Sequence, residues 1–315
     1  MSLRLGIVGS GAMAEYHAKR FSGLPGVALA AVCDHLPSKA EAFARSFGIP
    51  SRFTDPGAMI ESGEVEALAV ASLDSAHAGA AIRALDRGIA VFCEKPMARR
   101  LSEAEAMAEA ARRANARGTR SRGTPAIVNF SKRNGGLLAA AASALAEGGL
   151  GPLLGIELEY LQSWLLQDAW GDWRTTPRWR WRLVEEQSTY GALGDLGSHL
   201  LDAALVLAAG DPRTRPTDKL EAEACAARRF VPDDGFALEG KPAFESFEAR
   251  LALGGIAVSL KAGWRFPGRL DEFTAVLRCE KGRIEVAPGR SRSSLRVYED
   301  DGVRELAAAA SASTY

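Results

Sequence analysis

The sequence of 315 residues contains no stretch of about twenty apolar residues, the length that a helix needs to cross a bilayer, so we predict no membrane span. It has no excess of charge of either sign, because 39 Lys and Arg balance 39 Asp and Glu. Proteins that track a phosphate backbone carry a strong basic excess, so we expect no nucleic-acid partner. The apolar run Leu3–Val8 comes almost at once, without the regions of a signal peptide, which predicts a cytoplasmic protein.

Cysteine and histidine are scarce, with four residues of each. No two cysteines form a Cys-x-x-Cys pair, and the histidines do not complete a zinc-binding spacing with them. We therefore predict no metal site. In a reducing compartment, scattered cysteines are usually small buried apolar side chains, and we assign no chemistry to these four: Cys33, Cys93, Cys225 and Cys279.

Apolar side chains are abundant, at 47% of the sequence, and the length suggests two domains. In the first 130 residues, short apolar runs alternate with helical patterns, which predicts a doubly wound sheet of parallel strands covered by helices on both faces. We expect strands at 3–8, 27–33, 67–71, 90–93 and 126–130. We expect helices at 12–22, 37–47, 76–87 and 102–117, the last beginning with a capping box at Ser102.

After residue 131 the pattern changes to two helices and a series of strands in which polar and apolar residues partly alternate. Such alternation is typical of an antiparallel sheet with one buried face. We therefore predict a dinucleotide-binding domain over residues 1–130 and a second, α/β domain over residues 131–315. Helices are expected at 137–147 and 195–208, and strands at 153–162, 225–231, 244–253, 256–264, 272–279, 282–286 and 294–298.

The first strand leads directly into a Gly-x-Gly-x-x-Ala motif at the start of a helix. In a dinucleotide site, Gly9 permits the tight turn, Gly11 has no Cβ to obstruct a pyrophosphate, and Ala14 lets the helix pack on the strand. The N–H groups of the first helical turn, at Ala12 and Met13, are suited to an anion. We predict that this loop binds the phosphates of a dinucleotide.

Asp34 follows the second strand, twenty positions after Ala14, where a carboxylate would bind the diol of a ribose. A carboxylate there repels a 2′-phosphate, so we expect NAD(H) rather than NADP(H). The nearby Lys39 keeps NADP(H) open as the alternative.

The sequence Glu94-Lys95-Pro96 follows the strand at 90–93. Ligands of parallel sheets bind outside the carboxyl ends of the strands, so we expect Lys95 beside the nicotinamide end of the cofactor. Pro96 fixes one backbone dihedral and so favours a reproducible turn. A lysine in a partly dry cleft can stabilise an alkoxide or relay a proton. The alternative is a solvated loop lysine.

On the helix expected at 195–208, Asp195 and His199 are spaced i and i+4, and Asp202 follows at i+3 from the histidine. This spacing places all three on one polar face, opposite an apolar face. A carboxylate one turn from an imidazole can orient it as a general base. The alternative is an acid at the start of a helix and a packed or surface histidine.

Five of the six tryptophans lie between Tyr160 and Arg182. Sugars stack on tryptophan and bind arginine, so this segment could form the wall of a substrate pocket. The alternative is that the tryptophans pack in a core or a subunit interface.

With these signals in order along one chain, the sequence resembles the Gfo/Idh/MocA oxidoreductase family. The resemblance implies an N-terminal Rossmann domain and a C-terminal α/β domain whose large open sheet forms the interface of a homodimer or homotetramer. It implies Lys95, Asp195 and His199 as catalytic residues, and Ser72, Glu94 and Lys95 as lining the cofactor cleft. The matching residues are Gly9–Ala14 with His17, Asp34, Ser72-Leu73-Asp74 with His77, Glu94-Lys95-Pro96, and Asp195-x-x-x-His199.

The family resemblance implies a dehydrogenase that transfers hydride between NAD(P) and a secondary alcohol or ketone of a sugar, inositol or related polyol. Trp181-Arg182 resembles a Trp-Arg pair of some sugar-directed members, so both residues are expected to contact substrate. Members often carry Thr-Pro-Asn where this chain has Ser72-Leu73-Asp74. Two alternative functions are a dinucleotide-binding regulator without turnover and an NAD-dependent glycosidase.

Overall fold

The computed structural model describes residues 2–117, 123–168, 170–232, 236–287, 293–299 and 302–306. The chain divides into two compact units, Met1–Asn129 and Phe130–Tyr315. Each unit is built around a single β-sheet.

The sheet of the first unit has six parallel strands in the order β3-β2-β1-β4-β5-β6. This is the strand order of a doubly wound dinucleotide-binding fold, and the direction of winding reverses between β1 and β4. The central strands are mostly apolar because helices cover both of their faces, and the charged Arg4 lies at the exposed start of β1. The strands are β1 Leu3–Val8, β2 Val27–Cys33, β3 Ser51–Phe53, β4 Ala67–Val70, β5 Ala90–Glu94 and β6 Ala126–Asn129.

Five helices cover this sheet, and the buried apolar side chains form two clusters, one on each face. One cluster includes Ala14 of α1 and Phe43 of α2, and the other includes Ile60 of α3, Ala81 of α4 and Met107 of α5. The helices are α1 Ala12–Ser22, α2 Pro37–Phe47, α3 Pro56–Glu61, α4 His77–Asp86 and α5 Leu101–Ala116.

The structure corrects the expected start of α5. Arg100 is the N-cap, and its backbone N–H donates to the Glu103 carboxylate at 3.2 Å. Ser102 therefore lies inside the first turn and does not cap the helix. The elements β3 and α3 were not predicted, because three and six residues are too few to show a hydrophobic period.

The second unit contains an eight-stranded sheet in the order β14-β13-β12-β11-β7-β10-β9-β8. Among the described residues of this sheet, β7 and β10 pair in parallel, and the other pairs are antiparallel. The predicted combination of a parallel Rossmann sheet and a mostly antiparallel sheet is therefore confirmed. The strands are β7 Leu153–Gln162, β8 Leu220–Arg229, β9 Phe244–Leu253, β10 Ile256–Gly263, β11 Asp271–Cys279, β12 Gly282–Ala287, β13 Ser294–Glu299 and β14 Gly302–Glu305.

Helices α6 Leu137–Ala146 and α8 Ser198–Ala208 share a hydrophobic core with one face of this sheet. The short helix α7 Pro177–Arg180 lies in the connection after β7. The helix expected to begin at residue 195 begins at Ser198, because Leu193–Gly197 forms a π-helical turn before it. Among the described residues, no helix has the length and apolar character required to cross a membrane.

Candidate active site

Gly9 ends β1 with a backbone φ of 99°, a conformation that other residues rarely adopt. A Cβ on Gly9 would lie 2.6 Å from the carbonyl oxygen of Ala71 and 2.9 Å from Cα of Ser72. The predicted residues Gly9 and Ser72 are therefore neighbours, where the chain leaves the adjacent strands β1 and β4. Glycine is required at this position by the approach of two backbones.

Gly11 differs from Gly9, since a Cβ there would meet no atom within 4 Å. It is the N-cap of α1, and no side chain caps the helix from this position. Ala12 and Met13 form the first exposed turn of α1, and Ala14 is fully buried against the sheet. The open space and the N–H groups of this turn fit the pyrophosphate of a dinucleotide.

Asp34 follows β2 and connects it to the glycine loop through Ser10. Its Oδ2 accepts hydrogen bonds from Ser10 Oγ at 2.5 Å and Ser10 N at 3.1 Å, and its Oδ1 accepts one from Leu36 N at 3.0 Å. Partial burial on its own raises the pKa of Asp34, but these bonds and the nearby His35 and Lys39 lower it overall. The ionised carboxylate fits the hydroxyls of a ribose, which donate hydrogen bonds.

His77, the first residue of α4, is buried between the loops that follow β4 and β5. Its Nδ1 lies 2.9 Å from the carbonyl oxygen of Pro96, and its Nε2 lies 3.2 Å from that of Ser72. Asp74 and Arg99 form an ion pair between the same loops, with 3.8 Å between Oδ1 and Nε. The Ser72 loop and the Glu-Lys-Pro turn are thus held together.

The carboxylate of Glu94 lies among side chains of the first unit. Its Oε1 is 2.6 Å from His17 Nε2 and accepts a bond from Asn129 Nδ2 at 2.8 Å, while its Oε2 accepts the backbone N–H of Lys95 at 3.2 Å. Burial on its own raises the pKa of Glu94, but these donors lower it overall. The structure thus gives the protein contacts of Glu94, and its expected place in the cofactor cleft stays a prediction.

Lys95 is half-buried and comes directly after β5, the strand that lies between β4 and β6 in the sheet. Its peptide bond to Pro96 is cis. The carboxyl ends of these strands form the edge at which parallel sheets bind ligands.

In the second unit, Asp195 lies in the π-helical turn and His199 in the first turn of α8. Their spacing is therefore not that of a regular α-helix, which corrects the expected geometry. Gly194 is required in this turn because a Cβ would overlap the carbonyl oxygen of Thr189. π-Helical turns are frequent at functional sites.

His199 is 6% exposed and packs against two aromatic rings of its own unit. The rings of Phe130 and Tyr160 stand edge-on to the imidazole with centroid distances of 6.0 Å. Such contacts fix the plane of the ring. The predicted apolar face of the helix is confirmed, since Leu200 and Leu207 are fully buried.

Arg182 lies close to Asp195, with 3.6 Å between Nε and Oδ2. Its guanidinium also stacks on the rings of Trp179 and Trp181, at 5.0 and 4.5 Å from their centroids. The structure therefore brings together Trp181, Arg182 and Asp195, which were predicted separately.

Four tryptophans of this segment lie in the hydrophobic core or pack against it. Trp164 and Trp173 are 4% and 2% exposed and belong to the hydrophobic core, so the core interpretation is correct for them. Trp170 and Trp179 are partly buried, and the Trp179 indole N–H donates to the Trp170 carbonyl oxygen at 2.9 Å.

Several residues of the site were not predicted. Lys132 places its ammonium 4.5 Å from the centroid of Tyr160, one of the rings that contact His199. Arg133 binds both carboxylate oxygens of Asp202 at 2.6 to 2.9 Å, so Asp202 serves this ion pair. Tertiary contacts decide these pairings, and the sequence contains no periodic signal for them.

Three of the four cysteines are buried. Burial raises the pKa of Cys33 and Cys93 to about 12 and that of Cys279 to about 11, so these thiols stay neutral. Cys225 is exposed, contrary to the expectation of burial. Among the described residues, no three His, Cys, Asp or Glu side chains form a group suited to a metal ion.

Comparison with known proteins identifies the family of the chain. Residues 3–119 match the model of the oxidoreductase family with an NAD-binding Rossmann fold, and residues 138–285 match the GFO/IDH/MocA C-terminal domain. The chain belongs to the Gfo/Idh/MocA oxidoreductase family. Its first unit is thus the NAD-binding Rossmann domain of that family.

Two curated members of the family are similar to part of the chain. Levoglucosan dehydrogenase of Pseudarthrobacter phenanthrenivorans is 28% identical over 216 residues, which cover 65% of this chain and 51% of the relative. Glucose-6-phosphate 3-dehydrogenase of Bacillus subtilis is 31% identical over 208 residues, covering 66% and 54%. The matches thus span about half the length of these relatives.

The fold agrees with a solved structure of a Gfo/Idh/MocA protein over nearly all of the chain. A levoglucosan dehydrogenase in complex with NADH and levoglucosan superimposes with a TM-score of 0.80 at 24% identity, covering 97% of this chain and 80% of that chain. At this identity the agreement shows the fold.

Proposed function

We propose that this protein is an NAD(H)-dependent dehydrogenase acting on a secondary alcohol or ketone of a sugar, inositol or related polyol. The observation that carries the proposal is the ionised carboxylate of Asp34 bound to the glycine loop, beside the open N-terminus of α1. A ribose hydroxyl donates to such a carboxylate, whereas a 2′-phosphate is repelled by it. NADP(H) is the less favoured cofactor for this reason.

The catalytic residues that we propose are Lys95, Asp195 and His199. Bound NAD(H) supplies the acceptor or donor of the hydride. In this proposal His199 is the base that accepts the proton of the substrate hydroxyl during oxidation, and Lys95 is a hydrogen-bond donor to the substrate. Asp195 carries a negative charge that favours the imidazolium formed on His199, and Arg182 beside it holds that carboxylate in place.

The substrate class is supported by the names of the relatives and by the aromatic residues of the second unit. The curated relatives are named for levoglucosan, glucose 6-phosphate and inositol. Trp181 and Arg182, stacked on each other, offer a flat face and a cation, which suit the ring and hydroxyls of a sugar. We propose both as substrate contacts.

The experiment measures NADH formation at the absorbance of the reduced nicotinamide while the protein is incubated with NAD and a panel of sugars and polyols. We expect net reduction with at least one member of the panel. Release of aglycone without net NADH would favour the glycosidase, since that enzyme regenerates its cofactor in each cycle. Tight binding of NAD without turnover of any member would favour the regulator.

Two variants test the catalytic assignment on the best substrate. Lys95→Met and His199→Asn are each expected to lower kcat about 100-fold or more, because each removes a proton-transfer or hydrogen-bonding group. Lys219→Met, at an exposed lysine, is the matched control and should retain the wild-type kcat. Wild-type turnover in folded Lys95→Met or His199→Asn protein would contradict the assignment.

A further inference from the structure

Glu94 is only 7% exposed, and its carboxylate accepts bonds from three different parts of the first unit. His17 is on α1, Asn129 ends β6, and the third donor is the backbone N–H of Lys95. A carboxylate accepts hydrogen bonds only, and a buried one stays charged when donors surround it. The position of this side chain is therefore set by its donors.

His17 is held in a ring cluster that leaves its Nε2 directed at Glu94. It is 4% exposed, with the ring of Phe92 edge-on at 5.1 Å and that of Phe21 stacked at 5.7 Å. The distance of 2.6 Å from Nε2 to Oε1 is short for a hydrogen bond from nitrogen, as expected for a charged acceptor. The position of the Glu94 carboxylate therefore depends on the position of His17 on α1.

The other side of Lys95 is held by His77, through the carbonyl oxygen of Pro96 at 2.9 Å. The same imidazole lies 3.2 Å from the carbonyl oxygen of Ser72. Carbonyl oxygens accept and do not donate, so the donor in this contact is the histidine ring. The backbone of Lys95 is therefore restrained before its Cα by Glu94 and after it by His77.

We propose that Glu94 is a positioning residue, which holds the backbone amide of Lys95 so that the lysine side chain starts from one fixed point, and that His17 sets the orientation of Glu94. The inference rests on the proposed role of Lys95. The expectation that Glu94 lines the cofactor cleft stays a separate prediction. A displacement of about 1 Å in a reacting group can cost about 100-fold in rate, which is large enough to measure.

The test compares His17→Gln with His17→Asn. Both are neutral amides, but the amide nitrogen of Gln reaches the position of Nε2, whereas that of Asn reaches only the position of Nδ1. We expect His17→Gln to retain kcat within about 5-fold and His17→Asn to lower it about 10- to 100-fold. The KM for NAD should change less than about 3-fold in both, because Asp34 and the glycine loop are untouched.

A second measurement follows the amide of Lys95 itself, by hydrogen exchange without cofactor or substrate. His17→Asn should accelerate exchange of this amide at least about tenfold relative to His17→Gln, since the bond to Glu94 Oε2 is loosened. Phe43→Leu is the packing control, because Phe43 is a buried phenylalanine of the first unit that packs against Phe47, away from the ring cluster around His17. It should leave both kcat and the exchange rate near wild type.

Should either His17 variant fail to fold, Asn129→Ala removes another donor to Glu94 and is expected to lower kcat and accelerate exchange in the same way. Equal kcat and equal Lys95 exchange in His17→Gln and His17→Asn would overturn the proposal, as would wild-type values in Asn129→Ala. Failure of the proposed role of Lys95 has a different signature, since Lys95→Met would then keep full turnover, and failure of the proposed function would leave the wild type without net NADH formation.

Discussion

The charge of the Asp34 carboxylate is fixed by the hydrogen bonds that it accepts. Its carboxylate is 10% exposed and bound by Ser10 and the backbone of Leu36, which keeps its pKa below the ordinary value. Because the pKa is lowered, the carboxylate is charged at every pH above the ordinary pKa of aspartate and loses its charge only in stronger acid. The charge is therefore constant under assay conditions.

From this charge we predict a change in cofactor preference. Asp34→Ala should raise the KM for NAD about tenfold or more, because a hydrogen bond to a charged group is lost, and should raise that for NADP less. The preference of the wild type for NAD should not vary between about pH 6 and pH 9, where the carboxylate stays ionised. Steady-state kinetics with both cofactors provides the measurement. Equal changes in both KM values would show that Asp34 does not select the ribose.

At the same scale, the candidate catalytic residues remain predictions of the sequence. Lys95 and His199 were selected by motif, and the structure adds the partners that surround them. His17 was noted only as part of a matching motif, and its bond to Glu94, 77 positions away, forms where the His17 ring packs edge-on against Phe92 of β5. No local pattern could have revealed that bond, because hydrogen-bond partners distant in sequence leave no periodic signal.

Among the elements, the turn between β1 and α1 separates two roles of glycine. Gly9 has a positive φ and the backbone of the β4 loop against it, whereas Gly11 faces open space. One glycine therefore serves the fold and the other leaves room for a ligand.

This separation predicts two different outcomes for the same substitution. Gly9→Ala should lower the free energy of unfolding by about 1–3 kcal/mol, through backbone strain and overlap with Ala71. Gly11→Ala should change it by less than about 0.5 kcal/mol but raise the KM for NAD about tenfold, since a Cβ obstructs the pyrophosphate. Thermal unfolding without cofactor and steady-state kinetics distinguish the two. A stable Gly9→Ala protein with normal kinetics would refute the assigned role of Gly9.

The long elements were predicted nearly to the residue where the hydrophobic pattern was strong. β1, β2, α1, α2, β7 and β9 have the expected bounds. The errors fall where local and tertiary effects compete. β8 begins at Leu220, five residues before the predicted start. The prediction missed this start because most side chains of β8 are exposed and show no alternation. The π-helical turn at Leu193–Gly197 was expected as α-helix, since both produce similar sequence spacing.

At the scale of the whole molecule, the sheet of the second unit exposes the face opposite to α6 and α8. Ala257 and Ser259 of β10 are exposed near the centre of this face, and Arg278 and Glu157 form an ion pair on it, with 2.5 Å between Nε and Oε1. Small side chains let a second copy of the chain approach this face closely, and paired charges cost less to bury than unpaired ones. We propose that this face forms the interface of a homodimer or homotetramer.

This proposal predicts a molar mass of two or four times 33.5 kDa in light scattering after gel filtration. Ser259→Arg should shift the protein to the monomer mass, because a long cation at the centre of the interface has no partner there. Ser46→Arg, at an exposed serine of α2, is the matched control and should keep the wild-type mass. A monomeric wild type, or an unchanged mass in Ser259→Arg, would contradict the interface.

The sequence by itself determined the class of both sheets, the glycine loop with its acidic residue, and the family. These features follow from local periodicity and from motifs whose spacing is set by one turn between a strand and a helix. Only the tertiary structure decided three contacts. Glu94 accepts hydrogen bonds from His17 and Asn129. Arg182 lies beside Asp195, and Arg133 forms an ion pair with Asp202. These contacts join residues distant in the chain, so they exist only after the elements have packed.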